Sequence, residues 1–359
     1  MEKSPERDHL LALNGLYRNR IRTIKNLLQA YGTAVETWKH IHETGMSDAL
    51  ERAKAENDFI DKHAIRVWSM DDADYPQQLR QCPDAPVILF GKGNIRTNTG
   101  KMVSIVGTRS CTERGKDLTR KFVTELTALV PDITIVSGLA YGIDIAAHKA
   151  ALEIGIPTFI VAGHGLDRIY PALHRNVAVA SLRDGGILTE YMSGIEPERY
   201  NFVARDRIIA GMADAVVVVE SKQHGGALIT AQMACDYSRP LFAFPGRPQD
   251  EAAQGCNFLI KEQKAALIEN AQDMVDAMMW GSNNLPRPVQ TEMVELSEPL
   301  TENETRLLNT LREQEDGIQI NSLVVETEMP YAEISSLLMM MELKGLVKGL
   351  PGGFYRALK

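Results

Sequence analysis

Residues 102–107 read MVSIVG, a short apolar run that ends on a glycine. Runs of the same kind recur along the chain, namely ITIVSG (133–138), PTFIVAG (157–163), AVVVVES (215–221) and PLFAFPG (240–246). Segments with helical spacing of apolar residues, such as 119–129 and 144–152, separate them. Apolar strands that alternate with helices are typical of a parallel sheet covered on both faces. We therefore expect an α/β domain that binds its ligand at the carboxyl ends of the strands.

Different patterns flank this α/β region, which we place at 71–280. Leucines and isoleucines at helical spacing lead up to Gly32, which predicts a small helical module over 1–70. Residues 281–298 are polar and contain prolines, as a linker does. Over 299–359, helical segments are followed by two short strands around a glycine-rich turn, which predicts a winged helix.

The net charge of −8 results from 39 Lys and Arg against 47 Asp and Glu. Nucleic-acid-binding proteins usually present a basic face, so the total disfavours DNA binding. However, residues 101–247 carry 16 basic and 15 acidic residues, whereas 285–359 carry 7 and 12. The α/β region therefore has room for a local basic cleft, and the C-terminal segment would repel a phosphate backbone.

The sequence also argues against several classes of protein. It contains no run of about 18 apolar residues, and the N-terminal residues MEKSPERDHL lack the apolar core of a signal peptide. The four cysteines are scattered without a Cys-x-x-Cys pair, which disfavours a disulfide framework and a structural zinc site. We expect a cytoplasmic protein with no membrane contact, no metal and no cofactor.

The first segment with chemical potential is SIVGTRSCTERG (104–115), a strand that runs into a helix. Gly107, Thr108, Arg109 and Thr112 combine free amides at a helix start with hydroxyl and guanidinium donors, which suits a phosphate. The segment lacks the glycine spacing of dinucleotide folds and of P-loops, so NAD binding and ATP hydrolysis are disfavoured. The competing interpretation is a turn glycine beside a solvated arginine.

The second segment, IVSGLAYGIDIAAH (135–148), places Ser137 and Gly138 at the end of a strand. Small residues there let a phosphate or sugar approach the backbone closely. Asp144 and His148 stand four positions apart and so share a helix face, which a metal site requires. Because no further ligands cluster nearby, we favour a helix cap and a packed histidine instead.

The third segment, RYNFVARDRIIAG (199–211), interleaves arginines with aromatic residues. Arg205 and Arg207 would hold phosphates while Phe202 stacks a base, as an unpaired strand needs. The alternative is an ion-paired loop, with Arg207 bonded to Asp206 or Glu190 and the aromatic ring in the core.

A fourth segment, HGGALIT (224–230), places Gly225, Gly226 and Thr230 at another helix start. Two helix N-termini and several arginines would then face one crevice. These features together favour a phosphate site.

Seven motifs occur in an order and spacing that resemble the DNA-processing protein DprA family, also called Smf: VGTRSCTERG, VSGLAYGIDIAAH, GHGLDRIYP, RDRIIAGMADAVVVVES, GGALITAQMA, PGR and GCNFLI. The resemblance covers about residues 75–270. It implies an extended Rossmann-like, doubly wound, mostly parallel sheet, a SAM-like or helix-hairpin-helix-like N-terminal module and a C-terminal winged helix. It also implies a non-catalytic homodimer, joined through the Rossmann-like domain, that protects incoming single-stranded DNA and loads RecA recombinase in natural transformation.

The resemblance further assigns roles to residues. It implies a phosphate pocket, a stacking ring and backbone contacts, carried by Gly107, Thr108, Arg109, Thr112, Ser137, Gly138, Phe202, Arg205, Arg207, Gly225, Gly226 and Thr230, with Arg175 near a second basic patch. The chain departs from the family at Asp206, where Asn is usual. It also departs at His224, which begins a motif that more often starts with Ser.

Both ends depart from a simple DNA-binding pattern. The N-terminal module lacks the Gly-Ile-Gly hairpin that would bind duplex DNA. The candidate recognition helix, 331–346, contains Glu333 and Glu342 but only Lys344 as a cation. Groove binding requires Lys and Arg, so we expect an interaction or regulatory domain, although its Met-rich run is also compatible with a core.

Two other functions compete with DNA binding. A nucleoside monophosphate phosphoribohydrolase would cleave a glycosidic bond with carboxylates such as Glu190 or Glu220. Its characteristic P-G-G-x-G-T-x-x-E pattern is only partly matched by GGILTEY (185–191). A transcription regulator would use the winged helix, and the acidic charge of that segment argues against it.

Overall fold

The computed structural model describes residues 3–18, 20–281, 300–312, 314, 317–350 and 352–358. The chain divides into two compact units, Met1–Ser282 and Asn283–Lys359. The predicted linker at 281–298 lies outside the described residues, except for Gly281. In the described part of the chain, no helix has the length and apolarity needed to span a bilayer.

The N-terminal helices are α1 (Pro5–Leu16), α2 (Ile21–Tyr31), α3 (Ala34–His40) and α4 (Met46–Lys62). Gly32 ends α2 with a φ of 85°, a backbone conformation that glycine adopts without strain. Leu11, Leu13 and Ile60 pack in one hydrophobic cluster with Ile88 and Phe90 of the sheet. Since the helices share a core with the sheet, the boundary at residue 70 stays a prediction.

The first unit contains a nine-stranded sheet. Its strands are β1 (Arg66–Ser69), β2 (Ile88–Gly93), β3 (Lys101–Val106), β4 (Ile133–Ser137), β5 (Thr158–Val161), β6 (Gly186–Thr189), β7 (Ala215–Val218), β8 (Leu241–Ala243) and β9 (Ala266–Leu267). The order is β1-β2-β6-β5-β4-β3-β7-β8-β9. From β6 onward in this order, neighbouring strands pair in parallel. At the other edge, β2 pairs antiparallel with both β1 and β6. The prediction of a mostly parallel sheet is confirmed.

Helices cover both faces of this sheet, as α5 (Gln77–Arg80), α6 (Glu113–Leu129), α7 (Ile143–Ile154), α8 (Arg175–Ser181), α9 (Arg199–Met212), α10 (Ala227–Asp236), α11 (Gln254–Lys261) and α12 (Ala271–Ala277). Val216 and Val218 of β7 join one core cluster, which includes residues of α9 and α10. Val217 joins the opposite cluster with residues of α6 and α7. This alternation along a strand buried on both faces explains its continuous apolar sequence.

The sheet reverses its direction of growth at β3. From β3 the chain adds β4, β5 and β6 on one side and later β7, β8 and β9 on the other. In open α/β sheets, ligands bind at such a switch point, outside the carboxyl ends of the strands. The loops that follow β3 and β7 are therefore the first place to look for a site.

The second unit contains α13 (Glu302–Arg312), β10 (Ile318–Gln319), α14 (Ile320–Thr327), α15 (Tyr331–Leu343), β11 (Val347–Leu350) and β12 (Phe354–Ala357). At the start of α13, the Thr301 amide donates to Glu304 Oε2 (2.8 Å) and the Glu304 amide donates to Thr301 Oγ1 (3.3 Å). This is the expected capping box. Three helices and a small antiparallel sheet confirm the winged helix.

Candidate nucleic-acid interface

A cavity of about 680 Å³ opens at the carboxyl ends of β3 and β7, and we call it the strand-end cavity. Predicted site residues from separate parts of the sequence line it, namely Gly107, Thr108, Arg109, Phe202, Arg205, Gly225, Gly226 and Thr230. The cavity also receives residues that the resemblance did not assign, among them Asp144, Arg199, Asp206, Lys222 and His224. The fold therefore brings most of the predicted residues together.

The loop after β3 is fixed by its neighbours. A β-carbon on residue 107 would lie 2.4 Å from Ile143 Cγ1, so only glycine fits there. The Thr108 amide donates to the Glu220 carbonyl (2.8 Å), and its own carbonyl accepts from the Ile143 amide (3.3 Å). These bonds leave the Arg109 side chain exposed at the cavity.

Arg205 is the most unusual group of the cavity. Its residue surface is only 3% exposed, yet Nε and Nη1 have no hydrogen-bond partner among the described residues. The guanidinium lies against Gly138, where a β-carbon would stand 1.7 Å from Nη1. Gly138 is therefore required by close approach, as the sequence predicted, but the approaching group is Arg205.

The loop that carries Gly138 has a constrained backbone. Leu139 has a φ of 62°, which is uncommon for a residue with a side chain. Its carbonyl oxygen accepts a hydrogen bond from Nδ1 of the buried His174 (2.8 Å). Ser137 is fully buried, and its hydroxyl donates to the Ile105 carbonyl (2.6 Å). Ser137 thus joins adjacent strands rather than facing the cavity.

Arg207 does not lie among the groups that line the cavity. It is only 6% exposed, and its two Nη atoms donate to the carboxylate of Glu190 at 2.7 and 2.6 Å. Its assignment to the DNA backbone stays a prediction, and in this structure both Nη donors are held by Glu190. The alternative interpretation from the sequence, an ion pair with Glu190, is the one the structure contains.

Thr112 and Arg175 also lie away from the strand-end cavity. The Thr112 side chain caps α6 by accepting from the Gly115 amide (3.0 Å) and donates to Glu220 Oε1 (2.5 Å). Thr112 therefore orders the helix start, and its role as a phosphate contact stays a prediction. Arg175 is exposed at the start of α8, and its basic-patch role stays a prediction.

The two polar residues of α7 have separate roles. Gly142, not Asp144, is the N-cap of α7, and Asp144 lies buried in the first turn, at the cavity. His148 is fully buried with Nδ1 2.7 Å from Thr158 Oγ1, which confirms the packed histidine. Among the described residues, no group of three or more His, Cys, Asp or Glu side chains is placed to hold a metal ion.

Two carboxylates lie beside the buried guanidinium. Asp206 Oδ1 is 3.3 Å from Arg205 Nε. Burial raises the pKa of Asp206 to about 6, although Arg205, Arg109 and the Thr230 side chain favour its charged form. Burial likewise raises the pKa of Asp144, while Arg205 and backbone amides oppose that shift. The base of the cavity thus combines two arginines with two carboxyl groups whose pKa values are raised by burial.

Aromatic rings stand beside these charges. The guanidinium carbons of Arg109 and Arg205 lie 5.8 and 6.0 Å from the centre of the Phe202 ring. The centres of the Tyr170 and Phe202 rings are 5.5 Å apart. Tyr141 and Tyr170 are about half exposed and line a small adjoining recess with Arg109. Sequence analysis missed both tyrosines and Lys222. The available signal was the position of Tyr141 next to Gly142 and of Lys222 directly after the apolar run at 215–221.

The carboxylates proposed for a hydrolase are held by structural partners. Glu190 pairs with Arg207, and Glu220 accepts from the amide and the hydroxyl of Thr112. Within the described residues, neither lines the strand-end cavity. This arrangement leaves neither of them directed at a glycosidic bond there.

Comparison with known proteins agrees with this geometry. Residues 66–279 match the family model described as DNA recombination-mediator protein A, and residues 292–353 match that of the DprA winged helix domain. Protein Smf from Synechocystis is 36% identical over 329 residues, which covers 83% of this chain and 82% of that protein. DNA processing protein DprA from Streptococcus pneumoniae is 40% identical over 208 residues, which covers 58% of this chain and 72% of that protein.

Solved structures give the same result. An X-ray structure of DprA from Streptococcus pneumoniae superposes with a TM-score of 0.64 at 32% identity, covering 77% of this chain and 98% of the other. A structure of DprA from Helicobacter pylori, described by its single-stranded DNA binding mode, gives 0.54 at 28% identity, covering 60% and 96%. Fold, motifs and sequence agree, and the chain belongs to the DprA family.

Proposed function

We propose that this chain binds single-stranded DNA in the strand-end cavity, without chemical turnover. The observation that carries the proposal is Arg205, a guanidinium 3% exposed whose Nε and Nη1 lack hydrogen-bond partners among the described residues. Asp206 Oδ1 lies 3.3 Å from Nε and balances the charge in part, but buried donors without a hydrogen bond are costly until a ligand supplies the acceptor. A phosphate is the anion whose oxygens best match an arginine fork.

The surroundings of Arg205 favour a nucleic acid strand over a free anion. Arg109, Arg199 and Lys222 add positive charge along the same cavity. The exposed rings of Tyr141 and Tyr170 stand beside it and offer faces on which unpaired bases stack. In a duplex these base faces are already stacked, so we expect preference for single strands. The single-stranded DNA binding mode described for the Helicobacter pylori relative supports this expectation.

Single-stranded and double-stranded oligonucleotides of equal length, compared by fluorescence anisotropy, test the proposal. We expect tighter binding of oligothymidylate, an affinity that grows with length, and a steady loss of affinity with added salt, because each phosphate contact releases counterions. Equal affinity for both forms would contradict the preference for single strands. Failure to bind either form would overturn the proposal.

The proposal extends to RecA and to dimerisation. We expect the chain to protect incoming single-stranded DNA and to load RecA on it during natural transformation, as a homodimer joined through the Rossmann-like domain. The family description as a recombination mediator supports this extension. RecA-catalysed ATP hydrolysis on DNA covered by single-strand-binding protein should accelerate when the chain is added, and light scattering should give twice the chain mass. An unchanged rate of ATP hydrolysis would contradict RecA loading. A light-scattering mass equal to that of one chain would contradict the homodimer.

The hydrolase alternative has a direct test of its own. The chain is incubated with nucleoside monophosphates and the mixture is separated by chromatography. We expect no free base, because Glu190 and Glu220 are held by Arg207 and Thr112. Release of base that disappears in Glu190→Gln or Glu220→Gln would establish the enzyme instead.

A further inference from the structure

Arg205 and Asp206 are adjacent on α9, and both side chains reach the strand-end cavity. Oδ1 of Asp206 lies 3.3 Å from Nε of Arg205, and the Asp206 side chain is 20% exposed against 3% for Arg205. The carboxylate is therefore the more accessible member of this contact. Because both side chains line the same cavity, an anion that contacts Arg205 from the cavity lies close to this carboxylate.

We propose that Asp206 competes with DNA phosphate for Arg205, so that the cavity binds the phosphate together with a proton on Asp206. The inference rests on the proposed function and adds to it the residue that sets the affinity. A phosphodiester stays charged throughout the neutral range, so the proton has to be carried by the protein.

The charges around Asp206 support this competition. Arg205 lies on the same helix, Asp144 faces it from α7, Arg109 from the loop after β3, and the Thr230 hydroxyl from α10. The charges of these two arginines and of the two carboxylates, Asp144 and Asp206, sum to zero. A bound phosphate adds a negative charge in a site partly shielded from water, where like charges repel strongly. Protonation of one carboxylate restores the balance.

Asp206 is better suited than Asp144 to take that proton. Arg205 favours the charged form of Asp144 as well, but backbone amides of Ala140 and Gly138 add support that does not depend on an arginine. The groups that favour charged Asp206 are chiefly the arginine side chains, which are the same groups that a phosphate would engage. Phosphate binding therefore removes support from the Asp206 carboxylate more than from Asp144.

The direction of the pH effect follows from linkage. Burial already raises the pKa of Asp206 to about 6 in the free protein, and a neighbouring phosphate raises it further. Above pH 6 the complex then holds a proton that the free protein has lost. Affinity for single-stranded DNA should fall as pH rises from 6 to 8, by up to about tenfold per pH unit, and level off below 6.

His224 lines the same cavity, so the experiment has to separate its contribution from that of Asp206. Dissociation constants for a labelled oligothymidylate are measured from pH 5.5 to 8.5 at constant ionic strength, for the wild type, Asp206→Asn and His224→Gln. The ratio of wild-type to Asp206→Asn dissociation constants isolates Asp206, because His224 is present in both. We expect this ratio to rise from near one at pH 5.5 to about tenfold or more at pH 8.

Calorimetry in buffers of different ionisation enthalpy provides a second measurement that needs no variant. The wild type should take up close to one proton per bound strand near pH 7, with the Asp206→Asn variant taking up less. A constant ratio across the pH range, or binding without proton uptake by the wild type, would overturn this inference and leave DNA binding intact. Absence of DNA binding at every pH would overturn the proposed function itself.

Discussion

Arg205 and Arg207 are separated by one residue in α9, and both are buried, but their surroundings differ. Successive residues of a helix are rotated by about 100°, so side chains two positions apart point in nearly opposite directions. Arg207 therefore reaches Glu190, and Arg205 reaches the strand-end cavity. The same residue type thus stabilises the fold in one place and is available for a ligand in the other.

The contact between Arg205 and Gly138 gives a test at the same scale. In Gly138→Ala, the added β-carbon would stand 1.7 Å from Nη1, so the guanidinium must move. We expect at least a tenfold loss of affinity for single-stranded DNA, measured by anisotropy, and a lower melting temperature.

Gly15→Ala is the matched control for this substitution. Gly15 lies in α1, outside the cavity lining, and the nearest described heavy atom to a β-carbon placed there is Met192 Sδ at 3.8 Å, an ordinary contact. Its affinity for single-stranded DNA should stay close to that of the wild type. Wild-type binding by Gly138→Ala would show that the position of Arg205 does not matter.

The raised pKa of Asp206 also predicts a pH-dependent stability. Its pKa in the folded protein is about 6, above the ordinary value of 3.8 for an aspartate. The stability linked to the protonated form is therefore fully present below pH 3.8 and is lost as pH rises through 6. Asp206→Asn avoids this loss. The free energy of unfolding of the variant, relative to that of the wild type, should therefore be higher at pH 7.5 than at pH 4 by up to about 3 kcal/mol.

Urea unfolding at both pH values measures that difference, with the exposed residue Asp184 changed to Asn as a control. An equal effect of Asp206→Asn at both pH values would contradict the buried-carboxylate interpretation.

At the scale of elements, α9 is positioned by its ion pair with the residue that follows β6. Arg207 and Glu190 have side chains only 7% and 12% exposed. Removing the Glu190 charge leaves Arg207 buried with only the more distant carboxylate of Asp84, 3.9 Å from Nε, which costs up to about 3–5 kcal/mol. Glu190→Gln should therefore lower the free energy of unfolding by roughly this amount, as measured by urea titration.

The double variant Glu190→Leu with Arg207→Met serves as the control, because it removes both charges. It should recover much of the lost stability, since a buried apolar pair is often as stable as a buried ion pair. An unchanged urea midpoint in Glu190→Gln would show that the pair does not hold α9.

The elements differ in how far the sequence predicts them. The apolar runs correspond to β3, β4, β5, β7 and β8, because strands buried on both faces carry continuous apolar residues. Helix α9 was harder to recognise. Its residues from Ile208 to Met212 are all buried, so the segment lacks the one-sided pattern by which a surface helix is identified.

That missing helical phase limits what the sequence predicts at the candidate site. Without it, Arg205 and Arg207 cannot be told apart, and the resemblance assigns both to DNA. Likewise, the bonds of Thr112 to Glu220 join residues 108 positions apart, which the order of strands creates and the local pattern does not reveal. Glycine-rich turns, by contrast, were located well because their backbone requirement is local.

At the scale of the whole molecule, the charges are divided between the two units. Among the described residues, those that line the strand-end cavity belong to the first unit, whereas residues 285–359 carry 7 basic and 12 acidic side chains. The total of −8 therefore says little about the cavity.

Removal of residues 283–359 tests this division. We expect the affinity for single-stranded DNA to stay within about twofold, because the removed unit carries no residue of the cavity and repels phosphate. Anisotropy on the full chain and the shortened chain makes the comparison. A loss of tenfold or more would assign DNA contacts to the winged helix.

The central claim is that single-stranded DNA lies on the arginines of the strand-end cavity, and Arg109→Ala tests it most directly. Arg109 is exposed, so its removal should leave the fold intact. Arg183→Ala, with a side chain 88% exposed and outside the cavity lining, is the matched control. In anisotropy titrations, Arg109→Ala should weaken binding about tenfold for every oligonucleotide sequence and reduce the salt slope by about one, while Arg183→Ala binds as the wild type does. Unchanged affinity in Arg109→Ala would contradict the account.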